Sequence, residues 1–383
     1  MKDPDFTLGI EEEYLLVDRQ TRDLARDPPK DLVALAEAKL AAQGQAGQVS
    51  PEFLRAQLEV QTRVCKTAAE AKAELVKLRR AIAAVTGEFG MAPIAASTHP
   101  FAEWRGMEAT DKDRYRALER DLQGVGRRLV ICGLHVHVGI EDDELRIDLM
   151  NQIGYFLPHL LALSTSSPFW RSEDTGLASY RVAIFNELPR TGLPDHFESY
   201  GEYRRQLDRL VAAGLIDDAS KLWWDVRPSA RFPTLEMRIT DMCPYLDDAV
   251  AIAALYQCLL SMLWRLKRQN QRWRIYPHML VRENRWRAQR YGFDAGLVDF
   301  GKGAVCDFSG LIEELLELVA PDAARLGCTT EIAHARTILE RGTSAHRQRK
   351  TFADAIAAGA DKPAALRAVV DGLIAETLYS VAT

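Results

Sequence analysis

Thr7 to Asp18 reads TLGIEEEYLLVD, three consecutive glutamates set inside an apolar, strand-like run. Successive side chains on a strand point to opposite faces, so Glu11 and Glu13 share one face with Thr7 and Gly9. Leu8, Ile10, Tyr14 and Leu16 point the other way, and Glu12 falls among them and needs a partner of its own. Two carboxylates side by side on a half-buried surface repel each other unless a cation, a basic side chain or a shared proton relieves them. A chain with this strand must therefore pack one sheet face and keep the other for charge.

Three more runs follow the same rule. Gln57-Leu58-Glu59-Val60-Gln61 puts Glu59 between two glutamines, opposite Leu58 and Val60. Gly133 to Val138, GLHVHV, puts His135 and His137 on one face and Leu134, Val136 and Val138 on the other. Thr234 to Thr240, TLEMRIT, sets Glu236 and Arg238 against Leu235, Met237 and Ile239. Four such strands predict a sheet covered by helices on one side only, its open face being the active site.

Helical periodicity is strong over residues 30–43, 67–88, 111–128, 145–164, 200–213, 246–269, 309–318 and 363–379. The uneven spacing of these helices, with no βαβ rhythm and no Gly-rich βα turn, predicts an α+β fold with a mainly antiparallel sheet. No repeat or low-complexity linker divides the chain, and loops are expected only at 27–30 and 44–51, so residues 1–383 are read as a single catalytic domain.

A hydrophobic content of 47% supports a large core, and a net charge of -5 gives no general attraction to nucleic acid. The six cysteines are scattered, with no Cys-x-x-Cys pair, as free thiols in a reducing compartment would be. The first residues lack the apolar stretch of a signal peptide, and the uncharged apolar run 249–264 is short for a bilayer crossing. The expectation is a cytoplasmic protein with small-molecule partners, no nucleic acid and no membrane.

Glu11, Glu13, Glu59 and Glu236 offer hard oxygen ligands suited to Mg²⁺ or Mn²⁺, and one imidazole, His135 or His137, is compatible with such a site. A His-x-His pair alone is weak evidence, because alternation on a strand produces it by chance. Carboxylates beside an arginine suit a magnesium-held nucleotide whose transferring phosphoryl group is neutralised by a guanidinium, here Arg238. A plain cross-strand ion pair between Glu236 and Arg238, worth about 0–1 kcal/mol if exposed, is the alternative. The chain has no GxxxxGK[ST] loop, no GxGxxG turn and no Gly-x-Ser-x-Gly elbow, so metals and basic side chains must hold any phosphates.

Five blocks in order, GIEEEYLLVD, GLHVHVGI, SSPFWRSEDTGLASYR, WWDVRPSARFPTLEMRITD and ENRWRAQRYGFDA, closely resemble the carboxylate-amine ligase family, the glutamate-cysteine ligase type 2 group. The match runs from Phe6 to the GTSAHRQR segment at 342–349. The resemblance implies a glutamine-synthetase-like catalytic fold, in which a curved, mainly antiparallel sheet forms a funnel with helices on its outer face. It implies ATP and Mg²⁺ as cofactors and an acyl phosphate that an amine attacks, with weak γ-glutamylcysteine synthesis from glutamate and cysteine. By the same resemblance Glu11, Glu13, Glu59, His135 and Glu236 are metal ligands, Arg238 contacts phosphate, and Arg238 with Glu236 forms the catalytic pair. Asp174, Thr175 and Arg181, next to Gly176, match a substrate-side loop. Trp224 and Arg227, with Trp223, are candidates for the nucleotide cleft; Arg290, with Asn284, Arg287, Arg347 and Arg349, is a candidate for phosphate or carboxylate contacts, a solvated basic helix face being the alternative. A homodimer is expected on the same ground. Two chemistries remain as rivals on the same site: a guanidine phosphotransferase, and a metal-dependent amide hydrolase using His135 and His137 around a water. A nucleotide- or metal-sensing binding protein without turnover is a third.

Overall fold

The four charged runs pair with one another. The computed structural model describes residues 3–42, 44, 48–105, 107, 108, 110, 111, 116, 120–379 and 381. Its main sheet contains β1 (Leu8–Asp18), β2 (Val49–Pro51), β3 (Gln57–Gln61), β4 (Met91–Ile94), β5 (Leu134–Gly139), β6 (Val226–Pro228) and β7 (Thr234–Met237). The strand order is β6-β7-β5-β1-β3-β2, and β4 pairs with the far end of β1. Every pairing in this sheet is antiparallel.

Register decides what meets on the polar face. Glu11 lies opposite His135, Glu13 opposite Glu59, Glu236 opposite His137, and Arg227 opposite Glu236. Directly opposed residues of an antiparallel pair project to the same side. The reverse face carries Leu8, Ile10, Tyr14, Leu58, Val60, Leu134, Val136, Val138, Leu235 and Met237, all buried. The helices Ala68–Glu88 and Leu246–Arg268 pack against β1 on that side. Leu246–Arg268 is long and apolar enough to cross a membrane, yet 89% of its most apolar window is buried inside the protein, so it serves as a core helix.

Glu12 finds its partner on this packed face. Arg79 of the helix Ala68–Glu88 donates to both of its carboxylate oxygens, at 2.9 and 2.6 Å, and the Tyr14 hydroxyl donates to it as well. Arg79 also donates to the carbonyls of Cys243 and Pro244, in the turn between β7 and Leu246–Arg268. Glu12 is 0% and Arg79 1% exposed.

Several expected elements change. The run expected over 234–240 leaves the ladder after Met237, because the Arg238 and Ile239 amides donate to the Asp225 carbonyl at 2.8 and 3.2 Å. The helix expected over 145–164 is two, Asp143–Ile153 and Leu157–Ser164, with Pro158 in the first turn of the second. The one expected over 309–318 runs on to Leu326 through Pro321. Of the helix expected over 111–128, residues 112–115 and 117–119 lie outside the described residues, and its end, Gly126–Arg128, is a 3-10 turn. Helices at Tyr180–Phe185, His278–Tyr291, Thr329–Arg341 and Ser344–Ala357 were not anticipated.

Candidate active site

The polar face of the sheet is the floor of a cavity of about 520 Å³. Its acidic groups fall into two sets, Glu11 with His137 and Glu236, and Glu13 with Glu52 and Glu59. Within each set the three potential ligand atoms lie within 4.8 Å of one another. The ligands expected from the four strands, Glu11, Glu13, Glu59, His135 and Glu236, thus do not fall into one group. Glu52, just after β2, joins it, and His137 rather than His135 is the imidazole grouped with acids.

In the first set, His137 is fixed by a 2.9 Å hydrogen bond between its Nδ1 and Thr234 Oγ1. Its Nε2 is buried, lies 3.3 Å from Glu11 Oε1, and has no hydrogen-bond partner among the described residues. An imidazole pinned through one nitrogen, with the other aimed at two carboxylates, is arranged as a metal ligand is. Glu11 and Glu236 pull the His137 pKa up against the effect of burial. Burial opposes ionisation of Glu11, but its hydrogen bond with His135 and the nearby His137 imidazole hold its pKa well below the usual carboxylate range. Glu236 is likewise held low against burial, by Arg238 and then Arg227. Arg227 grips it with bonds of 2.9 and 3.1 Å and spends its remaining donors on the Ser220 and Leu222 carbonyls. Arg238 donates to Glu236 through Nη1, while its buried Nε has no partner among the described residues.

Among the described residues the second set has no arginine bonded to it as Arg227 and Arg238 are to Glu236, and the charges of Arg181 and Arg238 offset its burial only in part. Burial, reinforced by Glu59, lifts the Glu13 carboxyl to about 7. Burial and then Glu13 and Glu59 push Glu52 well above its ordinary value, and Glu59 is raised by burial and by Glu11. Three carboxyls that can ionise together only at a cost match the charge of a divalent cation, and their hard oxygens suit Mg²⁺ or Mn²⁺. His135 bridges the two sets, with Nδ1 3.2 Å from Glu11 and Nε2 3.8 Å from Glu13, and burial followed by Arg238 depresses it to about 4.

Arg181 lies at the Glu13 end, 2% exposed, donating to the Ile239 and Arg238 carbonyls at 3.1 and 3.0 Å. It fits because residue 133 is glycine: a Cβ there would sit 2.3 Å from its Nη2. The Gly133 amide meanwhile donates to Glu13 Oε2 at 2.7 Å.

Other expected residues are placed elsewhere. Asp174 forms a two-point ion pair with Arg349, Thr175 Oγ1 donates to the Pro168 carbonyl, and Arg290 donates to the Gly176 carbonyl. These contacts close a loop beside the hairpin at residues 169–174, and none of the three side chains lines the cavity. Trp224 packs on Phe197 and Tyr203, and its neighbour Trp223 lines the cavity instead. Asn284 and Arg287 bind the backbone around Val298 and Gly296, and Arg347 pairs with Glu376. Sequence reading passed over Glu52, Lys221, Arg231 and Phe232, all on the cavity wall. Only the position of Arg231 and Phe232, between two charged strands, could have singled them out.

The model of glutamate-cysteine ligase family 2 matches residues 7–370. A protein of Rhodospirillum rubrum named "Putative glutamate--cysteine ligase 2" is 63% identical over 378 residues, covering 99% of this chain and 97% of the relative. A Jannaschia protein of the same name is 54% identical over 372 residues, 97% of each chain. Among solved structures, a bifunctional glutathione synthetase from Pasteurella multocida superposes with a TM-score of 0.69 at 15% identity. It covers 97% of this chain, which spans about half, 53%, of that protein. A glutamate–cysteine ligase from Francisella tularensis, solved in complex with AMP, superposes with a TM-score of 0.68 at 13% identity, covering 100% of this chain and 94% of the other. These two likenesses bear on the fold alone, and they agree with the α+β, glutamine-synthetase-like class expected above.

Proposed function

Because the chain belongs to glutamate-cysteine ligase family 2, and is an ATP-dependent ligase forming carbon–nitrogen bonds, we propose that it joins the side-chain carboxylate of glutamate to an amine through an acyl phosphate. The observation that carries this reading is the floor itself: two acidic sets with the Arg238 guanidinium, held by Glu236, at the first of them. Divalent cations held by Glu11, His137 and Glu236, and by Glu13, Glu52 and Glu59, would screen the negative charge of a triphosphate and polarise its terminal phosphoryl group.

The protein's own residues supply position and charge. The carboxylate of the acid attacks the terminal phosphorus of ATP, ADP leaves, and an acyl phosphate forms. Arg238, its Nη1 bound to Glu236 and its Nε without a partner among the described residues, would neutralise the transferring phosphoryl group. The amine nitrogen then attacks the acyl carbon and expels phosphate, losing its proton as the amide forms. Burial of the floor excludes the water that would otherwise hydrolyse the intermediate. No protein nucleophile is required.

Hydroxylamine reports the acyl phosphate directly. Purified protein with Mg²⁺, ATP and glutamate should yield glutamyl hydroxamate and ADP in equal amounts, with slow γ-glutamylcysteine formation when cysteine replaces hydroxylamine. No hydroxamate across a broad panel of carboxylates would remove the reading. A cytoplasmic homodimer belongs to the same proposal, and light scattering checks its mass.

A further inference from the structure

The two ends of the cavity differ in chemistry. Beside the Glu11–His137–Glu236 set stands the turn from β6 to β7, which brings the exposed Arg231 and the ring of Phe232, edge-on to His137 at 6.1 Å. Arg231 has no ion-pair partner among the described residues. A free guanidinium and an exposed ring are what phosphates and a base require.

Beside the Glu13–Glu52–Glu59 set the wall is apolar. Phe53, Leu122, Leu129, Ile131, Phe185 and Leu188 line it, drawn from three separate segments. Contacts between side chains join those segments. Phe53 and Leu122 both approach Gly126, the Arg128–Glu187 ion pair at 2.6 Å sets Leu129 near Leu188, and Arg181 lies over the Phe185 ring at 5.4 Å. Gln57, which also lines this end, spends its amide on the Ile131 carbonyl at 2.7 Å. The lobe therefore offers apolar surface close to the second acidic set.

Resting on the ligase reading, we infer that this lobe receives the side group of the acceptor amine, and that the acceptor is an amine with an uncharged, apolar group larger than the side chain of cysteine. The acid substrate is a poor occupant. One end of glutamate is the reacting carboxylate and the other is zwitterionic, so both ends need charged partners that six hydrocarbon side chains do not supply, and the Arg181 guanidinium beside them already donates to the Ile239 and Arg238 carbonyls. The acceptor alone can place an uncharged group there while its nitrogen reaches the acyl phosphate over the floor. Burying each further methylene against such a wall raises kcat/KM about fourfold.

The test keeps glutamate, Mg²⁺ and ATP constant and varies the amine through alanine, 2-aminobutyrate, cysteine, norvaline and leucine, with aspartate and lysine as charged members. Hydroxylamine, which has no side group, runs in parallel. The expected result is a climb in kcat/KM of several tens of fold from alanine to leucine, with cysteine near 2-aminobutyrate and the charged amines at the bottom. In Leu129→Asp the leucine-to-alanine ratio should collapse towards one. Hydroxamate formation together with a flat series, or with aspartate ahead of leucine, overturns the inference and leaves the ligase reading standing; no hydroxamate overturns both. An unchanged leucine-to-alanine ratio in Leu129→Asp, or a raised KM for ATP with no change in amine preference, also overturns it, the latter by giving the lobe to the nucleotide base.

Discussion

Arg79→Met should cost the fold about 3–5 kcal/mol, because it leaves the Glu12 carboxylate buried behind the sheet without its counter-charge. The wild-type guanidinium makes two bonds to Glu12 and donates to two backbone carbonyls, those of Cys243 and Pro244. After substitution the Tyr14 hydroxyl is the donor left to Glu12, and each stranded carbonyl adds a desolvation cost of about 1–3 kcal/mol unless water reaches it. Glu12→Leu should cost a similar amount by stranding the arginine instead. The pair Glu12→Leu with Arg79→Met removes both charges at once and should recover most of the loss, since apolar groups often replace a buried ion pair at little cost. Urea titration followed by tryptophan fluorescence at pH 7.5 gives the four free energies of the double-mutant cycle. Single substitutions that each lose less than 1 kcal/mol, or a double substitution as damaging as the sum of the singles, would refute the reasoning. Either result would mean that Glu12 is not paired as described.

On the opposite face, Glu11→Ala and Glu52→Ala should each abolish ATP turnover, a fall of at least a hundredfold in kcat, with the urea midpoint preserved or raised; a Glu52 variant that keeps its rate would remove it from the site. Gly133→Ala should displace Arg181, and overpacking there costs about 1–3 kcal/mol; turnover should fall along with the thermal midpoint, and neither should change if the guanidinium can simply move aside. The Glu13 carboxyl, raised from 4.5 to about 7 in the fold, binds its proton more tightly than in the unfolded chain. Metal-free protein should therefore lose stability as pH rises from about 4.5 to 7, and Mg²⁺ should raise the thermal midpoint more at pH 8 than at pH 5.5; equal shifts at both values would contradict this. His159, buried and held neutral down to about 4, acts in the other direction: its contribution is present above about 6.5 and is lost as pH falls towards 4, and His159→Phe should flatten that acid limb of the stability curve.

The polar face was legible wherever strict alternation held. Glu11, Glu13, Glu59, His135 and Glu236 could be assigned to one side of a sheet, and Glu12 to the other, from the period of two alone. The division into two acidic sets was not legible, since it depends on β5 lying between β1 and β7 and on Glu236 facing His137, a register no single strand encodes. Glu52 follows a strand of three residues and carries no alternation to mark its direction. The arginines of the ENRWRAQRYG and GTSAHRQR blocks looked available for phosphate because sequence shows charge without showing what consumes it. Here carbonyls and carboxylates of neighbouring loops do so, as Arg290 with Gly176 and Arg349 with Asp174 show. His278–Tyr291 escaped notice because its charges run round the helix and blur the apolar stripe.

The strand order has a consequence for how the chain comes to work. β1 leaves the ribosome first, yet it occupies the middle of the finished sheet, and its neighbour β5 is made more than a hundred residues later. Pairings so distant in sequence form slowly, because the intervening chain must be closed before they are rewarded. Until β5 and β7 arrive, the glutamates of β1 have neither His137 nor Arg238 beside them, and the acidic face is exposed on an unfinished edge. The candidate site therefore cannot assemble before Arg238 has been made: a fragment ending short of it could hold several helices and half the sheet and still have no site.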